Sequence, residues 1–291
     1  MSAVSSVTQL PESRPRRVPP LLARLVDDAA LFPPRSATVA DAIRDHLSAR
    51  TSENAATMGT FLCPASRLPE LITELIRVKP VKPLALSLVI DTGLGGVPKA
   101  LSIVESRNEL LALRMVEMPA PSDVDEVWLE RVSEFVPEDV IRVIEPRRGG
   151  PEWLAGIRRV VTHGSWLKLR CGGSTAESFP SVDELADFIT IVSRSGASFK
   201  TTAGLSTAVR HAESETGFIQ HGFLNLLVAT ARSLAGNDVH AALNSTDAEA
   251  LSAEAAALDD QTAHSVRGVF ASYGADSLTE PVAELEKLGL L

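Results

Sequence analysis

Short apolar runs recur along this chain. Each ends in a polar residue or a glycine-rich turn and gives way to a stretch whose apolar positions repeat at helical spacing. Residues 60–63, 83–90, 110–118 and 140–144 predict strands, and residues 67–78, 98–105 and 123–135 predict the helices that follow the first three. Two more strands, 166–170 and 198–202, flank a helix over 181–193 that opens with the capping-box pair Ser181 and Glu184. Residues 239–243 read as a seventh strand, and an eighth, less regular, is placed near 216–220. Helices are expected over 221–234, over 246–258 with a Thr246/Glu249 cap, and over 281–288. Two helices, 21–31 and 38–49, precede the first strand as an N-terminal helical extension.

Strands this apolar, separated by helices, imply a parallel sheet covered on both faces. Seven or eight such units in 291 residues predict an α/β fold of the (β/α)8 barrel type, irregular near strand 7. The expected organisation is a disordered arm over residues 1–20 and a single barrel domain over 21–291. No GxGxxG follows the first strand and no GKS/T motif occurs, which weakens nucleotide-binding alternatives.

Composition narrows the functional classes. The chain is 45% hydrophobic but only 4% aromatic, so its core must be built from Leu, Val, Ile and Ala. A formal charge of -9 argues against nucleic acid as a partner. Cys63 and Cys171 form no CxxC, which leaves neither a disulfide framework nor zinc spacing and points to a reducing cytoplasm. Arg14-Pro15-Arg16-Arg17 is similar to a twin-arginine signal, but Pro19, Pro20, Arg24, Asp27 and Asp28 break the apolar region such a signal needs. No run reaches the ~18 to 20 apolar residues of a membrane span, so no membrane partner is expected.

The chemistry concentrates at the strand ends, which form the active face of a barrel. Asp91, Glu117, Glu145, Lys168, Arg170, Lys200 and Thr202 form that set. Strand alternation puts Lys168 and Arg170 on one face, and Lys200 and Thr202 on one face of the next strand. Lys168 lies inside an apolar run and needs a buried partner, for which Glu117 and Glu145 are the candidates; a purely structural ion pair is one reading. In the other, neighbouring Arg170 and Lys200 lower the Lys168 pKa, the free amine attacks a carbonyl, and Glu117 or Glu145 moves protons. Gly172, Gly173 and Gly204 are candidate backbone donors to a phosphate or carboxylate. His221 and Asn225, four apart at the start of a helix, are candidate substrate contacts, and Arg210 and His211 are weaker ones. Asp91, Glu117 and Glu145 offer an alternative Mg²⁺ set. Cys171 reads as small-residue packing.

The segments Ala30-Leu31-Phe32-Pro33-Pro34, Lys168-Leu169-Arg170-Cys171-Gly172-Gly173, Lys200-Thr201-Thr202-Ala203-Gly204-Leu205 and His221-Gly222-Phe223-Leu224-Asn225 together resemble an uncharacterised bacterial family over nearly the whole chain. That resemblance implies no activity. Ser206-Thr207-Ala208 stand where its members carry a histidine-rich patch. Residues 166–205 are also similar to class I aldolases of the deoxyribose-phosphate aldolase type. This implies Lys168 as the Schiff-base lysine and Lys200 as the cation beside it, although Arg170 stands where those enzymes have a small hydroxyl residue. The expectation is a cytoplasmic lyase of aldolase type acting on a small anionic, even phosphorylated, carbonyl compound, without cofactor. A homo-oligomer is a further option for its assembly. Metal-assisted lyase or isomerase chemistry and a non-catalytic anion-binding barrel are the alternatives.

Overall fold

In a computed structural model that describes residues 16–150 and 152–291, eight parallel strands close into a barrel. They are β1 (Val26–Asp28), β2 (Met58–Pro64), β3 (Leu84–Val89), β4 (Leu111–Pro119), β5 (Ile141–Glu145), β6 (Trp166–Arg170), β7 (Phe199–Thr202) and β10 (Phe270–Ala275). The short antiparallel pair β8 (His211–Ala212) and β9 (Ile219–Gln220) lies outside the barrel, in the long connection after β7. Neighbouring strands follow chain order, and β10 closes the ring between β7 and β1.

The barrel is the predicted one, but two of its strands are not where the sequence pattern placed them. Residues 21–31 are not a helix: a short 3-10 turn, Pro20–Leu22, leads into β1, which pairs with both β2 and β10. Residues 239–243 are helical, within α8 (Val239–Asn244), and residues 216–220 contribute only β9. The closing strand β10 lies in a stretch that carried no strand signal, because Ser272 and Gly274 interrupt its apolar pattern. The expected N-terminal arm falls up to residue 15 outside the described residues; beyond that, the Arg16 N–H donates to the Glu53 carbonyl.

The outer layer follows local sequence rules. It begins with α1 (Val39–Ala49), α2 (Leu68–Val78), α3 (Val97–Glu105), α4 (Glu126–Phe135), α5 (Trp153–Thr162) and α6 (Val182–Ser195). After β7 come α7 (Phe223–Ala235), α8, α9 (Ala248–Ala256) and α10 (Asp260–Val269), and α11 (Thr279–Lys287) ends the chain. Thr38, Asp125, Ser181, Asp238, Asp247 and Asp259 each accept the N-terminal amide that caps a helix. Ser181 and Glu184 form the reciprocal box; α9 is capped by Asp247 rather than Thr246. Although aromatics are few, three of them form a seam across α6, β7 and β10. Phe188 on α6 meets Phe199 on β7 edge-on at 5.2 Å, and Phe199 stacks on Phe270 of β10 at 4.9 Å.

This seam fixes β7 against the strand that closes the ring. Phe199→Ala therefore costs about 3–5 kcal/mol in urea unfolding, whereas Ser181→Ala, which loses one cap, costs about 1 kcal/mol.

Candidate active site

Alternation along the strands turns Asp27, Ser87, Glu117, Lys168, Lys200 and Ser272 into the barrel, where they build one ionic network. Register places Lys168 of β6 opposite Lys200 of β7, and Lys200 opposite Ser272 of β10. The Lys200 ammonium is 2.8 Å from Asp27 Oδ2, 2.5 Å from Glu117 Oε1 and 3.6 Å from the Met115 sulfur. Its three N–H groups are thereby all used, with the side chain 1% exposed. Ser87 donates to Glu117 Oε1, Ser272 donates to Asp27 Oδ2, and the Thr60 amide and hydroxyl donate to Asp27 Oδ1. Lys168 Nζ is 2.9 Å from Glu117 Oε2 and 3.4 Å from Glu145 Oε2. Arg170 Nε donates to Glu145 Oε1 at 3.2 Å. Three cations thus face three carboxylates.

Electrostatics follows from this pairing. Burial pushes the Glu117 carboxyl up, but Lys168 and Lys200 outweigh it and hold the group well below the usual carboxylate range. Burial pushes Lys168 down, yet Glu117 and Glu145 raise it above an ordinary lysine. Lys200 is raised likewise, with Asp27 and Glu117 overcoming its burial. The expected lowering of the Lys168 pKa by neighbouring cations is therefore reversed, because the carboxylates of Glu117 and Glu145 outweigh the charge of Lys200. Both are ammonium ions in the resting state.

Above this network opens a cavity of about 810 Å³, within the size range of small-molecule sites. Lys168, Glu117, Glu145, Arg170 and Thr202 line it. Lys200 is not among the lining residues and lies behind Glu117. Arg170, with 56% of its side chain exposed, extends into the opening. Gly172, Gly173 and Gly204 also line the cavity, but all three serve close packing. A Cβ on Gly172 would lie 2.6 Å from Gly204 Cα, and one on Gly204 2.4 Å from the Cys171 carbonyl oxygen. Gly204 and the preceding Ala203 both have positive φ, +65° and +59°, in the turn that ends β7.

His221 and Asn225 lie away from the cavity. His221 Nε2 donates to the Pro180 carbonyl at 2.7 Å and Nδ1 accepts from Arg210, which ties the connection after β7 to the one after β6. Asn225 accepts the Arg210 amide and donates to the Ala242 and Ser245 carbonyls. Arg210 is thus engaged by His221 and Asn225, while His211 bonds Thr207. These residues anchor loops; their helix-start position gave a functional signal that the fold uses for bracing. Asp91 is exposed and accepts from the Ser66 amide and hydroxyl. Among the described residues no group of three His, Cys, Asp or Glu side chains converges as metal ligands, and Glu117 is already taken by two ammonium groups. Burial pushes both Cys63 and Cys171 up to about 12, which leaves them as packing thiols.

Fold and site define an α/β protein of the (β/α)8 barrel class with a lysine–carboxylate network at the C-terminal ends of its strands. No protein-family model, curated protein or solved structure matches the chain.

Two consequences follow for stability. Lys200→Met leaves Asp27 and Glu117 short of their shared buried cation and costs about 3–5 kcal/mol in urea unfolding; Lys168→Met costs less, because Glu117 keeps Lys200 and Glu145 keeps Arg170. Burial also lowers the His221 pKa from 6.5 to about 4. A depressed folded-state value means the contribution is full above pH 6.5 and is lost as pH falls toward 4. His221→Gln, which keeps a donor for Pro180 but does not titrate, flattens the melting temperature between those pH values.

Proposed function

We propose that the protein is an enzyme that forms an imine between Lys168 and a small carbonyl compound bearing an acidic group, in lyase or aldolase chemistry. The observation that carries this reading is the placement of Lys168: a lysine that lines the cavity with two carboxylates within 3.4 Å of its nitrogen. A buried network of this kind is a poor stabiliser compared with apolar packing, so its position at the active face of a barrel favours chemistry over structure.

The resting ammonium is compatible with imine formation through charge conservation. Lys168 first gives a proton to a base, and the free amine attacks the carbonyl carbon. The carbonyl oxygen then leaves as water, and the product is a protonated imine. Ammonium plus carbonyl becomes iminium plus water, so the positive charge between Glu117 and Glu145 is unchanged. The two carboxylates that face the ammonium remain as counter-ions to the iminium, which has one N–H left to donate.

Glu145 suits the role of that base better than Glu117. Glu117 is held by Lys168, Lys200 and Ser87, whereas Glu145 is 19% exposed and shares Arg170 with the opening. A carboxylate or phosphate on the substrate competes for the Arg170 guanidinium. Its arrival frees Glu145 to take the Lys168 proton, so substrate binding itself prepares the nucleophile. Lys200 acts from behind by fixing Glu117. The similarity of residues 166–205 to deoxyribose-phosphate aldolases points to the same nucleophile.

The test is reductive trapping. Borohydride added with 2-oxo acids or short phosphorylated aldehydes yields a mass adduct on Lys168 in the native protein. Lys168→Arg, whose guanidinium cannot serve as an amine nucleophile, gives no adduct. A native protein that forms no adduct with any carbonyl compound, yet binds the corresponding acids, is an anion-binding barrel instead.

A further inference from the structure

The charges lining the cavity are unequal. Lys168 and Arg170 are its cations, against the carboxylates of Asp91, Glu117, Glu145, Asp276 and Glu280. Glu117 and Glu145 are matched by the lysine and arginine, and Asp91 is held by Ser66. Asp276 and Glu280 differ. Both belong to the wall formed after β10, and neither carboxylate has an ion-pair or hydrogen-bond partner among the described residues. The nearby Arg35 donates to the Asp276 backbone carbonyl and spends its charge on Asp45.

This wall lies opposite in character to the reactive end of the cavity. β10 is two strands round the barrel from β6. At about 4.8 Å per strand, β10 stands roughly 10 Å round the barrel from β6, which carries Lys168. β1 is the other neighbour of β10, and Phe32 on the connection after β1 lines the same side of the cavity. An aromatic side chain on the same side of the cavity as two unpaired carboxylates suits a weakly hydrated cation such as a guanidinium or an alkylated ammonium.

We infer that the ligand of this cavity is zwitterionic: a carbonyl acid whose acidic group meets Arg170 and whose far end, four to six bonds away on the order of the span just given, carries a cationic group held by Asp276, Glu280 and Phe32. The inference rests on the imine reading for the reactive end, and it changes the substrate class from a simple anion to an amino- or guanidino-bearing carbonyl acid. A purely anionic ligand would meet repulsion at this wall.

A matched series separates the two claims. Borohydride trapping is run with 5-guanidino-2-oxopentanoate, 2-oxohexanoate and 2-oxoadipate, which share the reactive end and differ in a cationic, neutral or anionic terminus. Calorimetric binding is measured in parallel with the corresponding 2-hydroxy acids, which cannot form an imine. The guanidino compounds are expected to trap and bind about tenfold better than the neutral ones, as two partly solvated carboxylates would produce, and the anionic ones worst. The double variant Asp276→Asn with Glu280→Gln abolishes that preference; neither position is buried, so the fold tolerates it. Trapping or binding that ignores the terminal charge overturns the zwitterion inference and leaves the imine reading standing. Binding that prefers the cation without trapping overturns the imine reading alone.

Discussion

Everything at the mouth of this barrel depends on one buried cation. Lys200 donates to Asp27 on β1 and Glu117 on β4 and touches Met115, which leaves no N–H free. Desolvating an ammonium costs several kcal/mol, and only close carboxylates with further hydrogen bonds offset it. Ser87, Ser272 and Thr60 supply those bonds, so five strands besides β7 contribute to satisfying one charge. The consequence is rigidity where a site needs it. Glu117 cannot turn away, and Lys168 is held against it at the base of the cavity.

The two lysines therefore have different work. Lys200 is closed off and organises; Lys168 lines the cavity and can meet a ligand. The electrostatics that raise both lysines look unfavourable for nucleophilic chemistry if only the free amine is considered. They become favourable once the product is considered, since the iminium inherits the ammonium's charge and its two counter-ions. A site of this kind controls reactivity through the timing of one proton transfer rather than through a permanently neutral amine. The bond between Arg170 and Glu145 is where an incoming acid can set that timing.

Much of this was legible in the sequence, and the gaps have physical causes. Strands β2 to β7 announced themselves as apolar runs, those from β3 on with polar or charged ends, and a lysine inside such a run called for Glu117 or Glu145. Asp27 was hidden because β1 has only three residues and follows Leu-Ala-Arg-Leu, a good helix-forming segment, so its acids fell inside an expected helix. Ser272 was hidden because β10 mixes Ser and Gly into its inward face, which removes the apolar periodicity. In both cases the polar residues that blurred the strand signal are the ones that serve the network. His221 and Asn225 misled in the opposite sense: polar residues at a helix start can brace loops as readily as bind substrate.

The central claim is that Lys168 is an ammonium between two carboxylates that converts to an iminium without change of charge. The chain has six lysines, so ¹⁵Nζ-lysine NMR can resolve this group, assigned by its loss in Lys168→Met. The account predicts an ammonium signal for Lys168 through the neutral pH range, replaced by a protonated-imine signal on adding a bound 2-oxo acid. A Lys168 signal that titrates as a free amine near neutral pH, or one that stays ammonium at saturating 2-oxo acid, would contradict it.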